Sequence, residues 1–265
     1  MLTVLLTYAA GGAIAGFMAG LLGIGGGLVI VPIMVYCLTW QGVSHEVVMH
    51  LALGTSMACI IFTGGSGTLA HHRHGTVDWR ILHRIAGGLF VGALLGTFVA
   101  SRLPTNVLKG VFGFFLYCAA VDMILDTKPR PTRHLPGRAG LFGAGSVIGV
   151  ASGMLGIGGG ALSLPFLVWC NVPMHYSIGT ATAMALPIAV AGTLGYIYHG
   201  LQVSHLPASS LGYVYLPALA GIACAGILTA PLGASVSERL PVKELKIAFA
   251  VLLIVVGTDM LLRHA

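Results

Sequence analysis

Charge is what this sequence has least of. Only 8% of its 265 residues are Asp, Glu, Lys or Arg, against about 25% in an ordinary soluble domain. Acids are scarcer still, 7 against 13 Lys and Arg. A chain this poor in charge cannot cover a surface that faces water, which excludes a soluble globular enzyme, a disordered chain and a nucleic-acid-binding module. Its five cysteines all sit in apolar segments with no Cys-x-x-Cys, so neither a disulfide frame nor a thiolate metal site is expected. The stretch Met1–Gly20 lacks a positive leading region and reads as a retained helix, not a cleaved signal. No Gly-Lys-Ser/Thr follows the glycine clusters, which removes a nucleotide loop, so energy is expected from ion or substrate gradients or from a partner not encoded here. There is no His-Glu-x-x-His, paired catalytic acid or Ser/His dyad on adjacent helical turns, so no enzyme and no cofactor is expected.

What the chain has in quantity is apolar length. Hydrophobic residues make up 57% and mean hydropathy is +0.95. Apolar stretches fall at 2–40, 47–70, 81–101 and 105–125, then at 139–170, 177–198, 208–236 and 242–262. Most are near the ~20 residues that cross a bilayer as a helix, which makes an all-α polytopic membrane protein. The first stretch of each set is too long for one crossing, at 1.5 Å per residue. It is also interrupted by glycines, so two half-elements meeting at the cluster are expected.

Those two clusters are copies. Gly20-Leu21-Leu22-Gly23-Ile24-Gly25-Gly26-Gly27 returns as Gly153-Met154-Leu155-Gly156-Ile157-Gly158-Gly159-Gly160. Pro32 and Pro165 follow at equal distance; Gly54-Thr55, Gly67-Thr68-Leu69, His74-Gly75 and Asp122 return as Gly179-Thr180, Gly192-Thr193-Leu194, His199-Gly200 and Asp259. Order and spacing describe two homologous transmembrane repeats, 1–125 and 139–265, joined by the Pro- and Arg-rich loop 126–138.

Charge then chooses the topology. If each broken stretch crosses once, basic residues split 8 to 5 between the two sides. If each goes in and comes back, the second repeat is inverted and the split is 10 to 3, with Arg102, Lys109 and Arg263 in the minority. The positive-inside rule favours the second arrangement. It predicts inverted repeats, each a Gly-broken first helix or re-entrant hairpin plus three spanning helices. Both termini then lie outside the cytoplasm of a multi-pass inner-membrane protein.

The duplicated Gly-x-Gly-Gly-Gly blocks, Gly54-Thr55-Ser56 and the eight-stretch layout resemble the TauE/SafE family. That resemblance implies a permease for sulfite, sulfonates or related organosulfur anions, acting as an exporter. The second copy departs from it, with Gly179-Thr180-Ala181 where Ser would complete the symmetry.

The glycine blocks suit an anion on physical grounds. They are poor helix formers and can present successive backbone N–H groups as an anion-binding concavity. The apolar run after each can start a half-helix whose N-terminus carries roughly +0.5 charge. Broken helices at matched places in two halves are a pointer to a transporter site. Candidate binding residues are Gly23, Gly25, Gly26, Gly27, Gly156, Gly158, Gly159 and Gly160, with the hydroxyls of Thr55, Ser56 and Thr180 replacing lost hydration. His74, His199, Asp122 and Asp259 recur in both copies and are candidates for proton coupling. A rival reading is a nickel, cobalt or other cation permease using His71-His72-Arg73-His74, although Arg73 would repel a cation. The partners expected are a small inorganic or organosulfur anion and the lipid bilayer, not nucleic acid; a homo-oligomer is left open.

Overall fold

The computed structural model of the protein describes residues 2–22, 26–125, 135–237 and 243–262. In chain order the elements are α1 (Leu2–Leu22), α2 (Gly27–Trp40), α3 (His45–Arg73), α4 (Trp79–Arg102) and α5 (Thr105–Leu125). Then come α6 (Arg138–Leu155), α7 (Gly160–Trp169), α8 (Met174–Gly200), β1 (Ser210–Leu211), β2 (Val214–Tyr215), α9 (Leu216–Ser237) and α10 (Lys243–Leu262). Among the described residues, six of the helices (α3, α4, α5, α6, α8 and α9) are long and apolar enough to cross a membrane. This is an all-α polytopic membrane protein. Both long apolar stretches stop at their glycine clusters and restart as a second helix.

Contacts between glycines and neighbouring backbones set the directions of the helices. Gly12, Gly16 and Gly20 of α1 abut Ile222, Gly226 and Ala230 of α9, so the two run parallel. Gly88, Gly92 and Gly96 of α4 abut Phe142, Ser146 and Val150 of α6, again in parallel. In both pairs a glycine every fourth residue leaves a groove into which the partner's backbone carbonyls settle. With lipid as solvent there is little hydrophobic drive between helices, and such close van der Waals contact replaces it. At the centre, α3 and α8 are the most enclosed helices. They run antiparallel, with Gly54 on Tyr196 and Gly67 on Thr182. On the flank, α5 and α10 are antiparallel too, with Gly113 on Leu261.

Following these directions gives the path of the chain. Take the end where α3 begins as the upper one. There the Nε2–H of Gln41, just after α2, donates to Tyr8 Oη near the start of α1 at 2.8 Å. Gly11 meets Ile33 and Gly26 meets Ala15, so α1 and α2 form an antiparallel hairpin that enters and leaves by the upper end. The sequence α3 down, α4 up, α5 down then reaches the lower end, where α6 starts parallel to α4. The start of α8 is also at the lower end, where Gly179 packs on Thr76. Thus α6 and α7 make a second hairpin, open to the lower end. Helices α8, α9 and α10 return the chain to the upper end.

One apolar stretch behaves differently from expectation. The region 208–236 does not begin as helix; it opens with the hairpin β1–β2, which pairs Ser210 with Tyr215 and Leu211 with Val214. Gly212 turns it at φ 54°, a left-handed conformation that glycine adopts without a Cβ clash.

The glycine grooves give a direct test. Gly92→Val and Gly149→Val drive a side chain into Ser146 and Leu89 backbone, and each is expected to destabilise by more than the ~1–3 kcal/mol of ordinary overpacking. Gly143, with nothing within 4 Å of an added Cβ, should accept Ala without loss. Thermal unfolding of the detergent-solubilised protein distinguishes the two outcomes.

Candidate functional site

The two breaks share one backbone solution. Gly26 precedes α2 at φ 74°, ψ −14°, and Gly159 precedes α7 at φ 73°, ψ −9°. At neither helix start does an N-cap side chain accept an amide; Val29 and Leu162 N–H turn back to Gly26 O and Gly159 O at 3.0 Å, which leaves the first two amides of each helix, Gly27 and Leu28 or Gly160 and Ala161, at the break. Gly156 closes α6 at φ 66°. The breaks also touch. A Cβ on Gly27 would lie 2.7 Å from Gly156 O and 2.8 Å from Ile157 Cα. Gly26, Gly27 and all of Leu155–Gly160 are buried, Gly158 and Gly160 included. Gly23 and Gly25 lie outside the described residues.

Where helices stop, carbonyls as well as amides lose their partners, and here side chains supply donors to the carbonyls. Tyr196 Oη donates to Gly153 O at 3.0 Å, in the last turn of α6. His71 Nε2 lies 3.1 Å from Gly20 O, near the end of α1. Gly20 and Gly153 are matched positions in the glycine blocks, and His71 and Tyr196 each precede the matched His-Gly pairs by three residues. Ser56 Oγ donates to Gly156 O at 2.7 Å. The carbonyl side of the break is thereby neutralised, and the amide side is left as donor. Among the described residues no carboxylate is buried, so nothing at the centre opposes an anion.

Thr55 and Thr180, both fully buried, face entering loops. Thr55 Oγ accepts the N–H of Tyr215 at 2.9 Å, and Thr180 Oγ accepts the N–H of Asp78 at 2.9 Å. Each fixes the backbone just before a helix, α9 or α4. In the second case Asp78 caps α4, taking the N–H groups of Arg80 and Ile81 at 2.9 and 3.2 Å. Beside Thr55, the Tyr213 ring stacks 5.0 Å from His50, and burial raises the Tyr213 phenol above its usual range.

The repeated titratable residues do not converge. His74 is exposed after α3 at the lower end, whereas His199 is half-buried near Phe98 at the upper end. Asp122 is exposed towards the lower end of α5, while Asp259 on α10 takes a hydrogen bond from Tyr36 Oη. The His71–His74 tract splays. His71 is turned inward to Gly20 and Thr76, and His72 Nδ1 accepts from Trp79 Nε1 at 3.2 Å. No group of three or more His, Cys, Asp or Glu that could hold a metal ion occurs among the described residues. At the upper end the buried Lys109 places Nζ 2.9 Å from His45 Nε2.

A family model described as "Sulfite exporter TauE/SafE" matches residues 8–260, which takes in both breaks. The chain belongs to the TauE/SafE family. It is thus a membrane transporter by family. A relative named "Probable membrane transporter protein" from Haemophilus influenzae is 37% identical, over 99% of this chain and 100% of that one. The "Probable membrane transporter protein YunE" of Bacillus subtilis is 28% identical over 94% of each. No solved structure matches this TauE/SafE chain.

His71 and Tyr196 differ, so identity between the two copies does not pair them; their common offset from the His-Gly pairs does. Two outcomes follow from the capping. Tyr196→Phe leaves Gly153 O unpaired in a buried site, and is expected to cost about 1–3 kcal/mol. Thr55→Val, which strips the acceptor from Tyr215 N–H, should cost a similar amount. Thermal unfolding in detergent reads both.

Proposed function

We propose that this TauE/SafE chain is a secondary transporter that moves a small anion, sulfite or an organosulfonate, out of the cell by alternating access. The single observation that carries the reading is the meeting of the two glycine breaks, reached from opposite ends of the bundle, where Gly27 at the start of α2 packs on Gly156 at the end of α6 and each break leads into a half-helix without a side-chain cap. Two N-termini, each equivalent to about half a positive charge, give an anion a replacement for water without a cationic side chain. In this reading Gly26, Gly27, Gly156, Gly158, Gly159 and Gly160 present the donors. Ser56, Thr55 and Thr180 hold the surrounding wall.

The chain is read as two inverted repeats, 1–125 and 139–265. Support comes from reciprocal packing: α1 of the first lies along α9 of the second, as α6 of the second lies along α4 of the first. One repeat moving against the other would expose the centre to each side in turn. Arg73, Arg80, Arg84 and Arg138 gather at the lower end, and Lys128, Arg130 and Arg133 fall in the segment that joins α5 to α6. The positive-inside rule makes that end cytoplasmic, in the inner membrane, with both termini outside. An inside-negative potential then favours anion exit by about 2.3 kcal/mol per charge per 100 mV.

Purified protein in liposomes should release trapped [35S]sulfite faster than protein-free liposomes, and equal rates would reject the reading. Gly159→Val, which forces a β-branched residue to φ 73°, should lower that flux more than about tenfold while the chain still inserts. Alkaline phosphatase fused after Ala265 should be active outside the cytoplasm. An inactive fusion, with a fluorescent cytoplasmic one, would reverse the orientation.

A further inference from the structure

Two hydroxyls at the second break are left over from every interaction described so far. Ser152 lies in the last turn of α6 and Ser163 in the first turn of α7. Both residues are fully buried, and neither Oγ has a hydrogen-bond partner. A hydroxyl in an apolar helix ordinarily returns its proton to a carbonyl one turn earlier. This chain does so repeatedly: Thr63 to Cys59 O at 3.2 Å, Ser146 to Phe142 O at 2.9 Å, Thr182 to Ile178 O at 2.9 Å and Thr258 to Ile254 O at 2.7 Å. Ser152 and Ser163 do not, and a buried donor left unmet is costly enough to be rare in native proteins.

Their placement relates them to the start of α7. Ser152 Oγ is 3.0 Å from the point where a Cβ would stand on Gly159, the left-handed residue that opens that helix. Ser163 is one turn into α7, and its N–H already bonds Gly159 O at 2.7 Å. Helix side chains tilt towards the N-terminus, which leans its hydroxyl to the same break. The positions matched to Ser152 and Ser163 at the first break are Ala19 and Ile30, so the hydroxyls belong to the second break alone.

We propose that the transported oxyanion is held at the second break, by the amides of Gly160 and Ala161 that open α7 together with the hydroxyls of Ser152 and Ser163. This rests on the transporter reading above and assigns its binding to one break. Amides and hydroxyls together offer donors on more than one side, which fits an anion with several oxygens. At the first break the two matched positions, Ala19 and Ile30, carry no hydroxyl.

The test uses full-length protein in detergent, with thermal unfolding measured against sulfite, sulfate and methanesulfonate. An anion that binds the folded state raises its unfolding temperature as concentration rises. For the wild type at least one of the three should do so. Ser152→Ala/Ser163→Ala should then need at least about tenfold more of that anion for the same shift. Ser146→Ala and Ser235→Ala, whose hydroxyls are engaged within their own helices at 2.9 and 3.0 Å, should respond as wild type. Should the double variant not fold, Ser152→Ala and Ser163→Ala are read singly, each with an expected weakening of about threefold or more. Serine variants with a wild-type response overturn the assignment and leave the transporter reading intact. A wild type stabilised by none of the three anions, and passing no sulfite in liposomes, overturns both.

Discussion

Inside a bilayer an open peptide bond has no water to turn to, and the centre of this protein follows from that constraint. Each break frees carbonyls where one helix stops and amides where the next one starts. At the carbonyl side, imidazole, phenol and hydroxyl groups from α3 and α8 step in: His71 at Gly20, Tyr196 at Gly153 and Ser56 at Gly156. At the amide side no side chain caps α2 or α7. The result is a region rich in donors without a buried carboxylate among the described residues. An anion held there, as proposed, would need no lysine or arginine at the centre, which would spare the chain the cost of burying one.

Much of this was readable before any coordinates. Four glycines in five residues, twice over, announce interruptions because no helix tolerates that density well. Charge scarcity announces the bilayer. The grooves along α4 and α6 are also visible as glycines at every fourth place, Gly88-Gly92-Gly96 and Gly145-Gly149-Gly153. Their partners are not, since spacing names a face and leaves open what lies on it. Thr55 and Thr180 stand out as a matched pair. Whether their oxygens turn to a break or to an incoming loop depends on α9 and α4, which arrive from elsewhere in the chain. Ser152 and Ser163 carry no mark in the sequence, because serine is ordinary in membrane helices. What marks them is an unmet hydroxyl within one turn of the second break.

Matched positions with unmatched residues are the more informative part of the internal similarity. Imidazole stands where the other copy has phenol, and two serines stand where the other has alanine and isoleucine. The shared elements are those that shape the backbone: the glycines, the following prolines and the threonines that fasten loops. Among the positions that differ are His71 and Tyr196, whose side chains reach the helix ends at the breaks.

Parallel packing of α1 on α9 has a consequence for how the chain matures. Gly12 finds its neighbour Ile222 only after about 200 intervening residues have been made, and contacts so remote in sequence slow folding. Until then the grooved face of α1 has no protein against it. A chain halted before α9 would present that grooved face without the helix that fills it.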